Sequence, residues 1–242
     1  MDIIENGGAM LTTTPTPVIA PTSGRTKSTG WDRCVVFRYI GWSGYRTMLK
    51  IRGEQNSPRM IYLDGDLWLM SPSFSQERPA ERLGMLVMIV VEELDIPCVP
   101  AGHTTFRRKK KESGVEGDKT FYLANEGQIR GKRDIDLRVD PVPDLVIEAV
   151  YTNSAAPAEA AWRRLGVPEI WTWEEDSLRI QVRQADGGYI ESETSLVLPM
   201  LGAGEVFDLV GQPQTGSETD WIKRTRRWVR EILAPRVQGR ST

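Results

Sequence analysis

A single histidine, His103, and two cysteines, Cys34 and Cys98, are all that this chain of 242 residues offers of the side chains most used for proton relays and soft-metal binding. A Ser-His-Asp triad, a His-Cys dyad or a His-rich zinc site would each need that one imidazole, and a lone histidine in a β-rich stretch reads as structural. The cysteines lie far apart and outside any CxxC or CxxH spacing, so neither a disulfide framework nor a structural zinc site is expected. No GxGxxG opens a helix and no GxxxxGK[ST] loop is present, which leaves nucleotide-dependent chemistry and a nucleotide cofactor without support. The longest apolar stretch, Leu83 to Val91, falls far short of the roughly 20 residues that span a bilayer, and the N-terminal residues show no basic segment followed by an apolar one. The expectation is a cytoplasmic protein with no membrane contact. Nor is there an excess of positive charge: Lys and Arg number 31 against 33 Asp and Glu, a formal net charge of -2. Any DNA contact must therefore come from a local patch.

What is present is ordinary for a folded α/β protein, with 40% hydrophobic and 26% charged residues. Residues 1–30, rich in Thr, Pro, Ser and Gly, read as a disordered leader; residues 31–215 read as one domain, and 216–242 as an amphipathic helix and tail. Trp42 to Ile51 is a plausible short helix. Ile61 to Met70 places two β-rich runs around Asp64-Gly65, a hairpin signal. Leu83, Leu86, Val87, Val90, Val91 and Leu94 recur at helical spacing, predicting the main helix over Gln76 to Leu94. Extended segments follow at Cys98 to Arg107, Val115 to Leu123 and Asp144 to Tyr151. A short helix over Pro157 to Leu165 is closed by Gly166 and leads into a strand at Glu169 to Trp173. Leu178 to Val182 and Gly188 to Glu193 form a further hairpin. Thr219 to Leu233 has the pattern of a charged amphipathic helix.

The residues that carry chemistry are carboxylates in apolar company. Asp118 enters a strand, Asp144 opens the next, and Glu148 stands inside the run Leu145 to Val150. An ionised carboxylate there is costly unless a cation or hydrogen-bond donors receive it. Carboxylates on strands ~4.8 Å apart can share one Mg²⁺; equally, Glu148 can pair with Arg163 or Arg164 simply to order the sheet. Five consecutive cations, Arg107, Arg108, Lys109, Lys110 and Lys111, precede this acidic segment. They are a candidate DNA-binding patch or a solvated loop.

Four ordered segments resemble one family, the Uma-type restriction endonucleases. They are Leu69-Met70-Ser71-Pro72-Ser73, Gly114-Val115-Glu116-Gly117-Asp118-Lys119-Thr120-Phe121-Tyr122, Asp140-Pro141-Val142-Pro143-Asp144-Leu145-Val146-Ile147-Glu148 and Leu165-Gly166-Val167-Pro168-Glu169-Ile170-Trp171. The likeness runs from about Tyr62 to about Glu193. It implies a restriction-endonuclease-like PD-(D/E)XK core: a mixed β-sheet flanked by helices, here with extra β-hairpins. It further implies Asp118 and Glu148 as catalytic ligands of Mg²⁺ or Mn²⁺, Glu77 as an additional catalytic acid and Asp144 as a metal ligand or strand-opening residue. DNA is then the substrate, phosphodiester hydrolysis by metal-activated water the reaction, and a homodimer a possible assembly.

The departures from the family pattern fall on the site. Lysine is expected at position 150 or 158, which hold Val150 and Ala158; Pro157 stands where an Asp is usual, Gly117 where the motif has proline, and Gln76 where a His is common. Lys119, next to Asp118, should point to the opposite face of its strand. The expectation is a Mg²⁺-dependent DNA endonuclease, weakened or inactive. The alternative is a catalytically inactive, nuclease-derived DNA-binding or protein-interaction module.

Overall fold

The computed structural model describes residues 33–55, 57–71, 74–102, 104–150, 155–174, 177–211 and 216–238; of 33, 74–77 and 155 the backbone alone is described. The expected leader and His103 lie outside the described residues. The fold begins with β1 (Arg33–Phe37), α1 (Gly41–Arg52) and the hairpin of β2 (Arg59–Leu63) and β3 (Asp66–Ser71). Its turn is Asp64-Gly65, with φ of 48° and 93°, the paired positive values that match the twist of two antiparallel strands. Tyr45 of α1 stacks on Tyr62 of β2 at 4.8 Å, and Trp42 meets both rings edge-on at 5.5 Å.

The long helix α2 (Phe74–Glu93) follows, then β4 (Val99–Pro100), β5 (Thr105–Arg108), a single 3₁₀ turn (Lys109–Lys111), β6 (Ser113–Glu116) and β7 (Lys119–Tyr122). The helical turn α3 (Glu126–Ile129) leads through a polar loop to β8 (Leu145–Val150), α4 (Ala155–Leu165), β9 (Glu169–Glu174), β10 (Ser177–Arg183) and β11 (Tyr189–Ser192). Three more helices follow among the described residues: α5 (Ala203–Gly211), α6 (Glu218–Trp228) and, after a π-helical stretch at Val229–Leu233, α7 (Ala234–Gln238).

The strands divide between two sheets. One is antiparallel, in the order β1-β3-β2-β6-β5; the other is mixed, in the order β11-β10-β9-β8-β7-β4. In the second sheet β8 and β9 run parallel, with α4 as their crossover helix. The extended segment expected over Val115 to Leu123 is thus two strands in different sheets, and Gly117-Asp118 is the point where the chain passes between them.

Each apolar face found its partner by periodicity. Leu83, Leu86, Val87 and Val90 bury one stripe of α2 on the mixed sheet, with Trp171, Trp173, Val206, Trp221, Val229 and Leu233 in the same core. The other face of that sheet packs with α4 and the antiparallel sheet, around Val146, Trp162, Ile170, Phe106 and Val115. The C-terminal helices are fixed to α2 by Arg226 and Arg230, both paired with Glu93. Among the described residues no helix is long and apolar enough to cross a membrane.

Candidate active centre and nucleic-acid interface

The pairing of β7 with β8 sets Lys119 opposite Ile147, so Asp118 and Glu148, each one step outward along its strand, stand opposite each other where the two sheets meet. Both are buried, 5% and 6% exposed. Asp118 is held on both oxygens: Oδ1 forms an ion pair with Arg59 Nη1, and Oδ2 accepts the Ala149 N–H at 2.7 Å. Arg59 comes from the first position of β2, in the antiparallel sheet, and bridges from one sheet to the carboxylate of the other.

Glu148 is received by a different donor. The indole Nε1–H of Trp162 donates to its Oε1 at 2.5 Å. Burial pushes the Glu148 carboxyl up to about 7, although the indole donor and the nearby positive charge of Arg59 act in the opposite direction. Trp162 lies on α4 four residues after Ala158, hence on the same helix face. The indole therefore fills the side of α4 from which a lysine at 158 would reach the carboxylates. Val150 and Ala158, the two expected lysine positions, are both buried apolar residues.

The glycine at 117 follows from the same indole. A Cβ on Gly117 would come within 2.9 Å of Trp162 Cζ2, 3.1 Å of Thr120 Cγ2 and 3.4 Å of Glu148 Oε1. Proline or alanine has no room there while Trp162 occupies its place. Two departures from the family pattern, at 117 and 158, thus converge on the side chain that also donates to Glu148.

Asp144 is not brought to this centre. Its Oδ2 accepts the backbone N–H groups of Leu123 at 2.8 Å and Asn125 at 2.9 Å, and its Oδ1 the Asn125 amide at 2.5 Å. It fastens the turn after β7 to the start of β8, four residues and about 13 Å along the chain from Glu148. Glu77 lies in the first turns of α2, and its side chain is outside the described residues. Lys119 pairs with Glu81 of α2 at 2.6 Å, on the far side of the sheet from the indole. Arg163 and Arg164, the cations that could have paired with Glu148, turn elsewhere: Arg163 to Glu159 and the ring of Tyr189, Arg164 to Asp64.

Sequence reasoning missed Arg59 and Trp162, and also the buried Glu116. The Glu116 carboxylate takes two bonds from Arg52, at 2.5 and 2.6 Å, one from the Met60 N–H at 3.1 Å and one from the Thr105 hydroxyl at 2.5 Å. It ties α1, β2, β5 and β6 together two residues before Asp118. No local signal marks these pairings, because 64 residues separate Arg52 from Glu116.

A divalent cation fits the described residues poorly. Asp118 has a guanidinium on one oxygen and a backbone amide on the other, and an oxygen of Glu148 is taken by an indole N–H. Among the described residues, no three His, Cys, Asp or Glu side chains gather as a metal-ligand group.

The basic run occupies a different place. Arg107 and Arg108 lie on β5 and Lys109 to Lys111 in the 3₁₀ turn. Arg107, Arg108, Lys109 and Lys110 border a cleft of about 1160 Å³, to which Arg46 of α1 and Lys132, Arg133 and Arg138 of the loop after α3 add four further cations. The lining contains two acids, Asp134 and Asp136, and neither Asp118 nor Glu148. Lys111 is not part of it. The carboxylates and the basic residues thus form two separate sites.

The family model Uma2, described as "Putative restriction endonuclease", matches residues 42–210. Among solved structures, the chain is similar to the crystal structure of a putative nuclease belonging to DUF820 from Anabaena variabilis ATCC 29413. The two share 13% sequence identity with a TM-score of 0.46, over 63% of this chain and 92% of the other. No curated protein matches the sequence.

Proposed function

Because the chain belongs to the Uma2 family of putative restriction endonucleases, we propose that it is a nuclease-derived DNA-binding protein in which phosphodiester hydrolysis has been lost. One observation carries this reading: the cation beside Asp118 is the protein's own Arg59, and the neighbouring carboxylate, Glu148, is held by Trp162. Two-carboxylate nucleases need a cation that is exchangeable and open to a phosphate oxygen. A guanidinium on a buried strand is neither, and it supplies no coordinated water. No lysine stands at 150 or 158 to orient an attacking water, and a guanidinium does not serve readily as a proton acceptor. The basic cleft supports the DNA-binding half of the reading, since its local excess of positive charge departs from the net charge of -2 of the whole chain.

A second reading, Mg²⁺- or Mn²⁺-dependent cleavage, is favoured by one feature, the direct opposition of Asp118 and Glu148 across β7 and β8. Plasmid nicking in Mg²⁺ and in Mn²⁺ separates the two. The parent, Asp118→Ala and Glu148→Ala proteins are compared after circular dichroism has established that each is folded. The expected result is no nicking by any of them while the parent retards DNA in a gel. Nicking by the parent that both substitutions abolish would overturn the proposal in favour of the second reading.

A further inference from the structure

We propose that the cleft beside β5 holds a single-stranded segment of DNA, with phosphates on its basic rim and unstacked bases against Trp42 and its apolar floor. The inference rests on the DNA-binding reading above and adds the form of DNA and the place where it lies.

The rim is built from three separate stretches of chain: Arg46 on α1, the β5 segment with its 3₁₀ turn, and the loop after α3. Lys132 and Arg138 are engaged by Asp140 and Asp136. No ion pair with a described residue engages Arg46, Arg107, Lys109, Lys110 or Arg133, all of them exposed. Charges left unpaired and converging from several sides are available to phosphates, and each phosphate bound releases counterions.

The floor is of the opposite character. Val99, Pro100, Ala101 and Ile135 line it together with the buried Ile129 and Leu137. Trp42, edge-on to Tyr45 and Tyr62 and only partly buried, forms part of the wall one helical turn from Arg46. A duplex offers this cleft phosphates and sugars while its bases stay stacked inside, so it gains nothing from an apolar floor with an aromatic wall. A single strand offers both charge and π faces, and base stacking on an aromatic ring tolerates any sequence. The volume of about 1160 Å³ also exceeds the roughly 300–1,000 Å³ of pockets that enclose one small ligand, which suits several nucleotides better than one.

The test is fluorescence anisotropy with the full chain and two labelled probes, an oligothymidylate of about 16 nucleotides and a duplex of the same length. The single strand is expected to bind at least about tenfold tighter, and the exposed double change Arg46→Glu with Arg133→Glu to weaken it by about tenfold or more at low salt. Trp42→Leu should weaken the strand and leave duplex binding unmoved. Because Trp42 also packs on Tyr45, the surface charge reversals decide the location. Equal or tighter duplex binding overturns the single-strand assignment and leaves the DNA-binding reading intact. Strand binding that ignores the charge reversals overturns the placement in this cleft, and failure of both probes to bind overturns both readings.

Discussion

Arg59 and Asp118 form an ion pair that joins the two sheets of the protein, with Arg59 at the start of β2 and Asp118 in the link between β6 and β7. Asp118 is buried and Arg59 mostly so, 6% and 11% exposed. Desolvating two such groups is costly, and their attraction offsets that cost only while both are present. Arg59→Met should therefore destabilise the fold by about 3–5 kcal/mol, through the charge left on Asp118. Adding Asp118→Asn to Arg59→Met should recover a large part of the loss. Urea denaturation of the two single variants and the double variant measures this coupling, and strictly additive losses would show that the pair does not act as a unit.

Glu148 makes stability depend on pH. Burial raises its carboxyl to about 7 in the folded protein, whereas the unfolded chain titrates in the ordinary glutamate range. Between those values the folded state binds the extra proton, so its contribution is fully present at acid pH and is lost as pH rises to about 7. The loss is on the order of 3 kcal/mol, from about 1.4 kcal/mol per pKa unit. Glu148→Gln keeps an acceptor for the indole and removes the titration. The parent-minus-variant stability difference should fall across this window and be flat above it; a difference that is level across the window would contradict the assignment.

Trp162→Phe keeps a ring in the cavity and removes the N–H that Glu148 accepts. The cost should be about 1–3 kcal/mol, that of a buried acceptor left without its donor. The charged form of Glu148 loses its main support, so the pH at which stability levels off should move upward. An unchanged pH profile would mean that the indole bond contributes nothing to the charge state of Glu148.

Gly117→Ala should cost about 1–3 kcal/mol by overpacking against Trp162. The same change in a Trp162→Phe background should cost less, because the Cζ2 atom that the new methyl would strike is gone. Thermal denaturation of the two pairs gives the comparison. Equal costs in both backgrounds would assign the clash to Thr120 instead.

The basic run divides by position. Lys109→Ala and Lys110→Ala each remove a cleft cation and should lower the slope of log affinity against log salt by about 0.7–0.9. Lys111→Ala, outside the cleft lining, should leave the slope unchanged. An equal effect of all three would point to a solvated loop acting through its net charge alone.

Local pattern carried much of the architecture. The Asp64-Gly65 turn, the stripe from Leu83 to Val91 and the apolar run from Leu145 to Val150 are statements about backbone preference and periodicity within a few residues, and they appear as the β2–β3 hairpin, α2 and β8. The segment from Val115 to Leu123 looked like one strand because its composition is β-rich throughout, while the division at Gly117-Asp118 depends on two sheets that neither half specifies alone. β1 and α5 carried too short a signal to be read; their apolar residues take meaning from the strand or helix that covers them.

The same distinction runs through the candidate site. The sequence by itself determined that Asp118 and Glu148 are carboxylates in apolar company, and that positions 150, 158 and 117, where the family resemblance implies lysine, lysine and proline, hold Val, Ala and Gly. Which groups would answer those carboxylates was decided only by the tertiary structure, which brought Arg59 across from the other sheet and laid Trp162 over both Glu148 and Gly117. A buried charge demands a partner wherever it lies in the chain, but the demand names no residue: Arg59 and Asp118 belong to separate stretches of chain, and only the docking of the two sheets brought the guanidinium to that carboxylate.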